Sequence, residues 1–174
     1  GVKAVMVNGV VSYRDGTFTD VKESDWFYEN VAEVYGLELM VGRGKGLFAP
    51  NDLMTVAEAM TIAARLNAIY FIGEADFVQT EPWYQTYVDY CEANSIAKAA
   101  DYDLTAPITR GEFANIFANA LPEKALEKIN TVQDEKIPDV KTTDKFAEAI
   151  YTLYRAGILV GNDEKGTFAA DTLI

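Results

Sequence analysis

A segment recurs three times in this chain at a spacing of about 60 residues. A supersecondary unit repeated at a fixed period does not bury its own apolar face, so its copies pack on one another. The copies open at Phe18-Thr19-Asp20-Val21, Asp76-Phe77-Val78 and Ile137-Pro138-Asp139-Val140. Five residues past each valine stand Trp26, Trp83 and Lys145, the last followed by Phe146. The register then runs without gaps through Val31, Val88 and Ile150, through Leu39, Ile96 and Ile158, to Gly42, Ala99 and Gly161. Copies one and three continue into Phe48-Ala49-Pro50 and Phe168-Ala169-Ala170, whereas copy two has a shorter loop ending Leu104-Thr105-Ala106-Pro107.

Within each copy the periodicity predicts two helices. Trp26, Phe27, Val31, Val34 and Tyr35 recur at helical spacing, as do residues from Trp83 to Cys91 and from Phe146 to Tyr154. Ser24 or Asp25, Thr80 or Glu81, and Thr143 or Asp144 are the expected N-caps. Gly36 or Gly42, and Gly157, are the expected stops. A second helix opens with Thr55-Val56-Ala57-Glu58 and Thr109-Arg110-Gly111-Glu112, each a Thr-x-x-Glu capping box before an apolar run. These second helices, rich in alanine and aliphatic residues, are expected to form the shared core.

The expected organisation is an N-terminal segment 1–17, a first repeat 18–70, a second 71–122, a linker 123–136 with a short helix at Glu123–Ile129, and an incomplete third repeat 137–174. Val5-Met6-Val7, Asn8-Gly9 and Val10-Val11 read as a short hairpin with an Asn-Gly turn.

Net charge of −12 argues against nucleic acid or an anionic membrane as an electrostatic partner. No apolar run approaches the ~18 residues that would mark a transmembrane helix. The chain has no histidine, which removes the commonest general base and the Ser-His and Cys-His pairs. No phosphate-cradling glycine motif is present, and the acids are spread over caps and helix exteriors, so an enzyme is not expected. The loop from Gly161 to Gly166 lacks the alternating ligands and closing glutamate of a calcium loop, so no metal and no cofactor are expected. Cys91 falls on an apolar helix face and reads as a small core residue.

The set Phe-x-Asp-Val, Trp, a glycine-bounded turn, Phe-x-Pro and Thr-Arg-x-Glu resembles the S-layer homology (SLH) repeat of bacterial surface proteins, over residues 18–174. The resemblance implies a mainly α fold, a pseudo-threefold bundle of helix-loop-helix repeats. It further implies an extracellular location and non-covalent anchoring to the secondary cell-wall polysaccharide through pyruvylated amino sugars. In that family the arginine of Thr-Arg-x-Glu meets the acidic sugar in a groove between copies. Only Arg110 matches here: Val56 stands in its place in copy one, and copy three stops before the position.

The implied glycan-binding set is therefore Arg110, Thr109, Glu112, Trp26, Trp83, Gly42, Arg43 and Gly161. Each also has a plainer reading. Arg110 is suited to a bidentate carboxylate, or to a pair with Glu112. The tryptophans suit sugar stacking, but read first as core. Thr109 and Glu112, like Thr55 and Glu58, are first of all caps. Arg43 and Lys45 belong to a loop that either meets the polymer or is simply solvated. The alternative for the whole chain is a fold that kept its architecture and serves protein interaction or self-association.

Overall fold

The computed structural model describes residues 17–174, so the hairpin expected from Val5 to Val11 lies outside the described residues. Five α-helices carry the fold: α1 (Tyr28–Gly36), α2 (Val56–Ile72), α3 (Gln85–Ala93), α4 (Arg110–Ala120) and α5 (Ala147–Arg155). Single turns of 3-10 helix lie at Ala99–Asp101 and Glu123–Leu126, the latter shorter than the linker helix expected to reach Ile129. Among the described residues, extended pairing is limited to isolated bridges: Gly44 with Leu47, Thr55 with Pro107, and Thr109 with Leu173. The chain forms two compact units, Gly1–Asp52 and Leu53–Ile174.

In the first unit, Tyr28, Val31 and Ala32 of α1 form a stripe buried with Phe18 and Val21. Phe18 meets Tyr35 edge-on at 5.1 Å between ring centroids and Phe48 at 5.3 Å. Asp20 ties the loop down: its two carboxylate oxygens accept the N–H groups of Phe48 at 2.9 Å and Ala49 at 2.7 Å. Ala49 is thereby held at φ 60°, in the left-handed region. Gly42 is required here. Its φ is 82°, and a Cβ would come within 2.6 Å of both the Leu47 carbonyl oxygen and the Phe18 ring.

In the second unit α2 packs on α3 and α4, and α4 packs on α5. Each second helix thus packs on the first helix of the next copy. Val56, Ala59, Met60, Ala63 and Ala64 form one face of α2, buried against Tyr87, Val88 and Cys91 of α3 and Ile116 and Ala120 of α4. The alanines admit close helix approach. Each fully buried isoleucine or methionine contributes roughly 1.5–3 kcal/mol. Ala114, on another face of α4, joins Ile150, Leu153 and Tyr154 of α5 with Ile137, Val140 and Phe168. Cys91 is fully buried, as expected, and burial pushes its thiol pKa up to about 12. Asn67 of α2 bridges three helices: its Nδ2 donates to the Ala120 carbonyl at 2.8 Å, and its Oδ1 accepts from the Tyr90 hydroxyl at 2.9 Å.

Two backbone devices repeat with the sequence. The residues at equivalent positions before the second-helix caps close a ring of hydrogen bonds: Ile108 N–H donates to Met54 O (2.8 Å), Ile174 N–H to Ile108 O (3.2 Å), and Met54 N–H to Ile174 O (2.7 Å). Each first helix also ends in the same Schellman motif. Leu39, Ile96 and Ile158 donate back to Val34, Cys91 and Leu153, while Glu38, Ser95 and Gly157 donate to Tyr35, Glu92 and Tyr154. The left-handed residue is Glu38 (φ 56°), Ser95 (φ 58°) and Gly157 (φ 70°). Gly157 stops α5 as expected. In copy one neither Gly36 nor Gly42 is the stop: Gly36 is the last helical residue and Glu38 takes the left-handed place.

The helix starts also differ from expectation. α1 and α5 begin after Phe27 and Phe146 with no side-chain cap. Asp25 and Asp144 instead accept the N–H of Lys22 and Lys141 in the turn before. Thr80 does reach α3, accepting the Thr86 N–H at 3.2 Å. Copy two lacks the carboxylate staple because Phe77 stands at the place of Asp20 and Asp139, and its ring packs on Tyr87 and Tyr90.

Candidate functional site

The start of α4 is built by its own sequence. The Glu112 N–H donates to Thr109 Oγ1 at 3.2 Å, and Glu112 Oε2 accepts the Thr109 N–H at 2.9 Å, which completes the capping box. The equivalent box at Thr55 and Glu58 opens α2. The next two N–H groups are taken by the following copy: Arg110 N–H donates to Thr172 O (2.9 Å) and Gly111 N–H to Ala170 O (2.8 Å). A Cβ on Gly111 would lie 2.8 Å from the Phe146 ring and 3.3 Å from the Ala170 oxygen, so glycine admits this close approach. The helix-end N–H groups are therefore already bonded, and an anion at this place must be met by a side chain.

Arg110 is the cationic side chain at this place. Its Nε donates to the Phe168 carbonyl at 2.9 Å, and its Nη2 reaches the Val160 carbonyl at 3.5 Å. Its guanidinium lies 4.7 Å from the centroid of the Phe168 ring. The Nε edge is thus fixed by the loop of copy three, and among the described residues no ion pair engages the guanidinium. Pairing with Glu112 does not occur, because that carboxylate is committed to the cap. The Nη1–Nη2 end of the guanidinium, held only by the long Nη2 contact to Val160, has the geometry for a planar, bidentate acceptor.

The loop that holds Arg110 is itself locked. Asp139 accepts the N–H groups of Phe168 (2.8 Å) and Ala169 (2.6 Å), the same staple as Asp20 in copy one. Asn162 N–H donates to Thr167 O at 2.7 Å, and Asn162 Nδ2 to the Phe168 carbonyl at 3.4 Å. Asp163 accepts from Thr167 and Lys165, and these bonds hold its carboxyl below the usual carboxylate range. A Cβ on Gly161 would fall 2.4 Å from Gly166, so this glycine closes the loop.

The structure brings Arg110, Thr109 and Glu112 together with the Gly161 loop. Trp83 stands elsewhere, its ring against Tyr84 rather than Arg110. Trp26, Gly42 and Arg43 belong to the first unit, where Arg43 lies 4.0 Å from Asp52. The expectation that the tryptophans are core is corrected: Trp26 is 88 % exposed and Trp83 47 %. In each copy the next residue, Phe27, Tyr84 or Phe146, packs on the core instead. Trp26 and Trp83 lie edge-on against those rings, and Lys145 sits 4.7 Å from the Phe146 ring. In copy one the clasp of the second helix persists without a charge. Val56 and Ala57 donate to Ala106 and Leu104, but the Val56 side chain is buried.

Phe168, Asn162 and Asp139 are site residues that the motif alone does not single out. The recurrence of Phe48-Ala49 as Phe168-Ala169 and of Asp20-Val21 as Asp139-Val140 was the sequence signal for two of them, and Asn162 had none. Surface hollows lie elsewhere in the second unit. One of about 490 Å³ is formed by the 128–134 segment and Arg155, whose guanidinium is already committed to Val132 O and Asp134.

The profile described as the S-layer homology domain matches residues 17–60 and 136–174. These two segments carry S-layer homology repeats. Arg110 lies in the stretch between the two matched segments, where the middle copy of the repeat has Phe77 and Ala99 in place of the aspartate and glycine of the other two. The chain is 29 % identical over 157 residues to a surface-layer 125 kDa protein of Lysinibacillus sphaericus, covering 82 % of this chain and 13 % of that protein. It is 26 % identical over 170 residues to the S-layer protein sap of Bacillus anthracis, covering 93 % of this chain and 21 % of that one. A middle cell wall protein of Brevibacillus brevis is 28 % identical over 130 residues, or 73 % of this chain and 11 % of that protein. The chain thus spans about a fifth or less of the length of these relatives. No helix among the described residues is long and apolar enough to cross a membrane.

Proposed function

We propose that this chain anchors a bacterial surface protein to the cell wall, outside the cell, by binding pyruvylated secondary cell-wall polysaccharide. The reading is a binding module rather than an enzyme. Arg110 meets the carboxylate of the pyruvyl ketal, Thr109 and Glu112 set the helix that carries it, and the exposed Trp26 and Trp83 offer flat faces to sugar rings. The observation that carries the proposal is the guanidinium fixed on Phe168 along one edge, with no acid partner among the described residues on the rest. The SLH repeats and the surface-layer and cell-wall names of the relatives support the location. A pseudo-threefold arrangement of the copies is part of the same reading. The hydrogen-bonded ring of Met54, Ile108 and Ile174 supports it.

Co-sedimentation of the chain with purified cell-wall sacculi tests the proposal. Sacculi that retain the pyruvyl ketal are expected to retain the protein, and sacculi stripped of it to release the protein. Equal binding to both, or to neither, would overturn it.

A second reading, a protein-interaction module, is favoured by one feature. Tyr70, Phe71 and Ile72 at the end of α2 are each more than half exposed. Light scattering that shows concentration-dependent association, with no retention on either sacculus preparation, would select it.

A further inference from the structure

Among the described residues, the Tyr154 hydroxyl is the buried side-chain polar atom that bonds no other group. Tyr154 lies on α5 and is 9 % exposed. Two other tyrosines of the same unit show what a hydroxyl at the core ordinarily does. Tyr151 accepts the Ile137 N–H and donates to the Val140 carbonyl, and Tyr90 donates to Asn67. An unpaired buried hydroxyl costs free energy and calls for a reason.

Its position supplies one. The Tyr154 ring meets Phe168 edge-on at 5.9 Å between centroids, and Phe168 is the residue whose ring and carbonyl hold Arg110. Burial raises the phenol pKa, with the Arg110 charge opposing and Asp139 and Asp163 reinforcing the rise, so at neutral pH the group is an O–H donor. Neither nearby carboxylate accepts from it. Asp139 is taken by the N–H groups of Phe168 and Ala169, and Asp163 by those of Lys165 and Thr167. What stands over this stack is the Arg110 side chain, whose bond to Val160 is at the 3.5 Å limit and on an exposed residue.

We propose that Tyr154 is a second recognition group of the Arg110 site, its hydroxyl donating to an oxygen of the bound acidic sugar. The oxygen reaches it when Arg110 Nη2 leaves the Val160 carbonyl and turns to the carboxylate. A guanidinium and a neutral donor then read two acceptor atoms of one ligand, so recognition depends on their spacing as well as on charge. This inference rests on the Arg110 reading above.

The test compares the full chain with Tyr154→Phe and Arg110→Ala, binding each to purified pyruvylated wall polymer and melting each without ligand. Tyr154→Phe is expected to weaken binding about 2- to 10-fold, the net worth of one hydrogen bond, with Tm unchanged or raised. If Tyr154→Phe binds like the parent while Arg110→Ala is impaired, the Tyr154 role is wrong and the Arg110 reading stands. A lowered Tm for Tyr154→Phe shows a hydroxyl already paired in the free protein and overturns the inference. Parental binding by Arg110→Ala overturns both readings together.

Discussion

Arg110 and Phe168 are joined twice, by the 2.9 Å hydrogen bond from Nε to the carbonyl and by the guanidinium 4.7 Å from the ring centroid. Making both contacts at once, with an edge left over for a carboxylate, takes the planar fork of a guanidinium, which lysine does not provide. Arg110→Lys is therefore expected to bind pyruvylated polymer about tenfold more weakly, although its charge is unchanged. Its unfolding free energy should fall by about 1 kcal/mol or less, since the lost contacts are only half-buried. Sedimentation with polymer, paired with urea unfolding, checks this. Undiminished binding would show that charge alone suffices.

The left-handed residue of the Schellman motif yields a second expectation. A non-glycine residue there carries a penalty of roughly 1–2 kcal/mol, partly offset by the entropy that glycine loses on folding. Ser95→Gly should raise the stability of the unit Leu53–Ile174 by about 0.5–1 kcal/mol. Gly157→Ala should lower it by at least about 1 kcal/mol, because its Cβ would also lie 2.8 Å from Ile129. Thermal melts of the two variants should move in opposite directions.

Asp20 gives the loop of copy one a defined acid sensitivity. Burial alone would raise its pKa, but bonds from the Phe48, Ala49 and Asp20 N–H groups outweigh this and leave it below the ordinary carboxylate value. A folded-state pKa below the unfolded one means that the stabilisation is complete above about pH 4. It is lost as the pH falls through the folded value. The amide resonances of Phe48 and Ala49 should titrate together at that pH, and Asp20→Asn should abolish the titration. Amides that stay fixed through the acid range would contradict the staple.

Asn67 is the buried polar link among α2, α3 and α4. Asn67→Ala removes partners from the Ala120 carbonyl and the Tyr90 hydroxyl at once. It should cost about 2–4 kcal/mol, being two unsatisfied groups at roughly 1–3 each with partial relief. Urea unfolding reads the loss. A change under about 0.5 kcal/mol, the range of an ordinary surface substitution, would show that the link is not needed.

Local signals in the sequence were legible where a few adjacent residues determine the structure. Thr55 with Glu58 and Thr109 with Glu112 form the boxes that their spacing predicts, and Cys91 is core. The glycine stop was legible at Gly157 but not at Glu38 or Ser95, because a left-handed residue without glycine leaves no mark in composition. The tryptophans misled because helical spacing places them beside Phe27 and Tyr84, and only packing decides which of two adjacent aromatics goes inside. The partners of Arg110 were hidden for a different reason. Phe168 and Val160 are 58 and 50 residues away and contribute backbone carbonyls, which any residue type can supply.

The most direct test is a binding cycle: the parent chain and Arg110→Ala, each against polymer with and without its pyruvyl ketal. If Arg110 meets the carboxylate, the substitution weakens binding to intact polymer about 10- to 100-fold and has no further effect on stripped polymer. Equal weakening on both polymers would contradict the account, because Arg110 would then act on something other than the pyruvyl group.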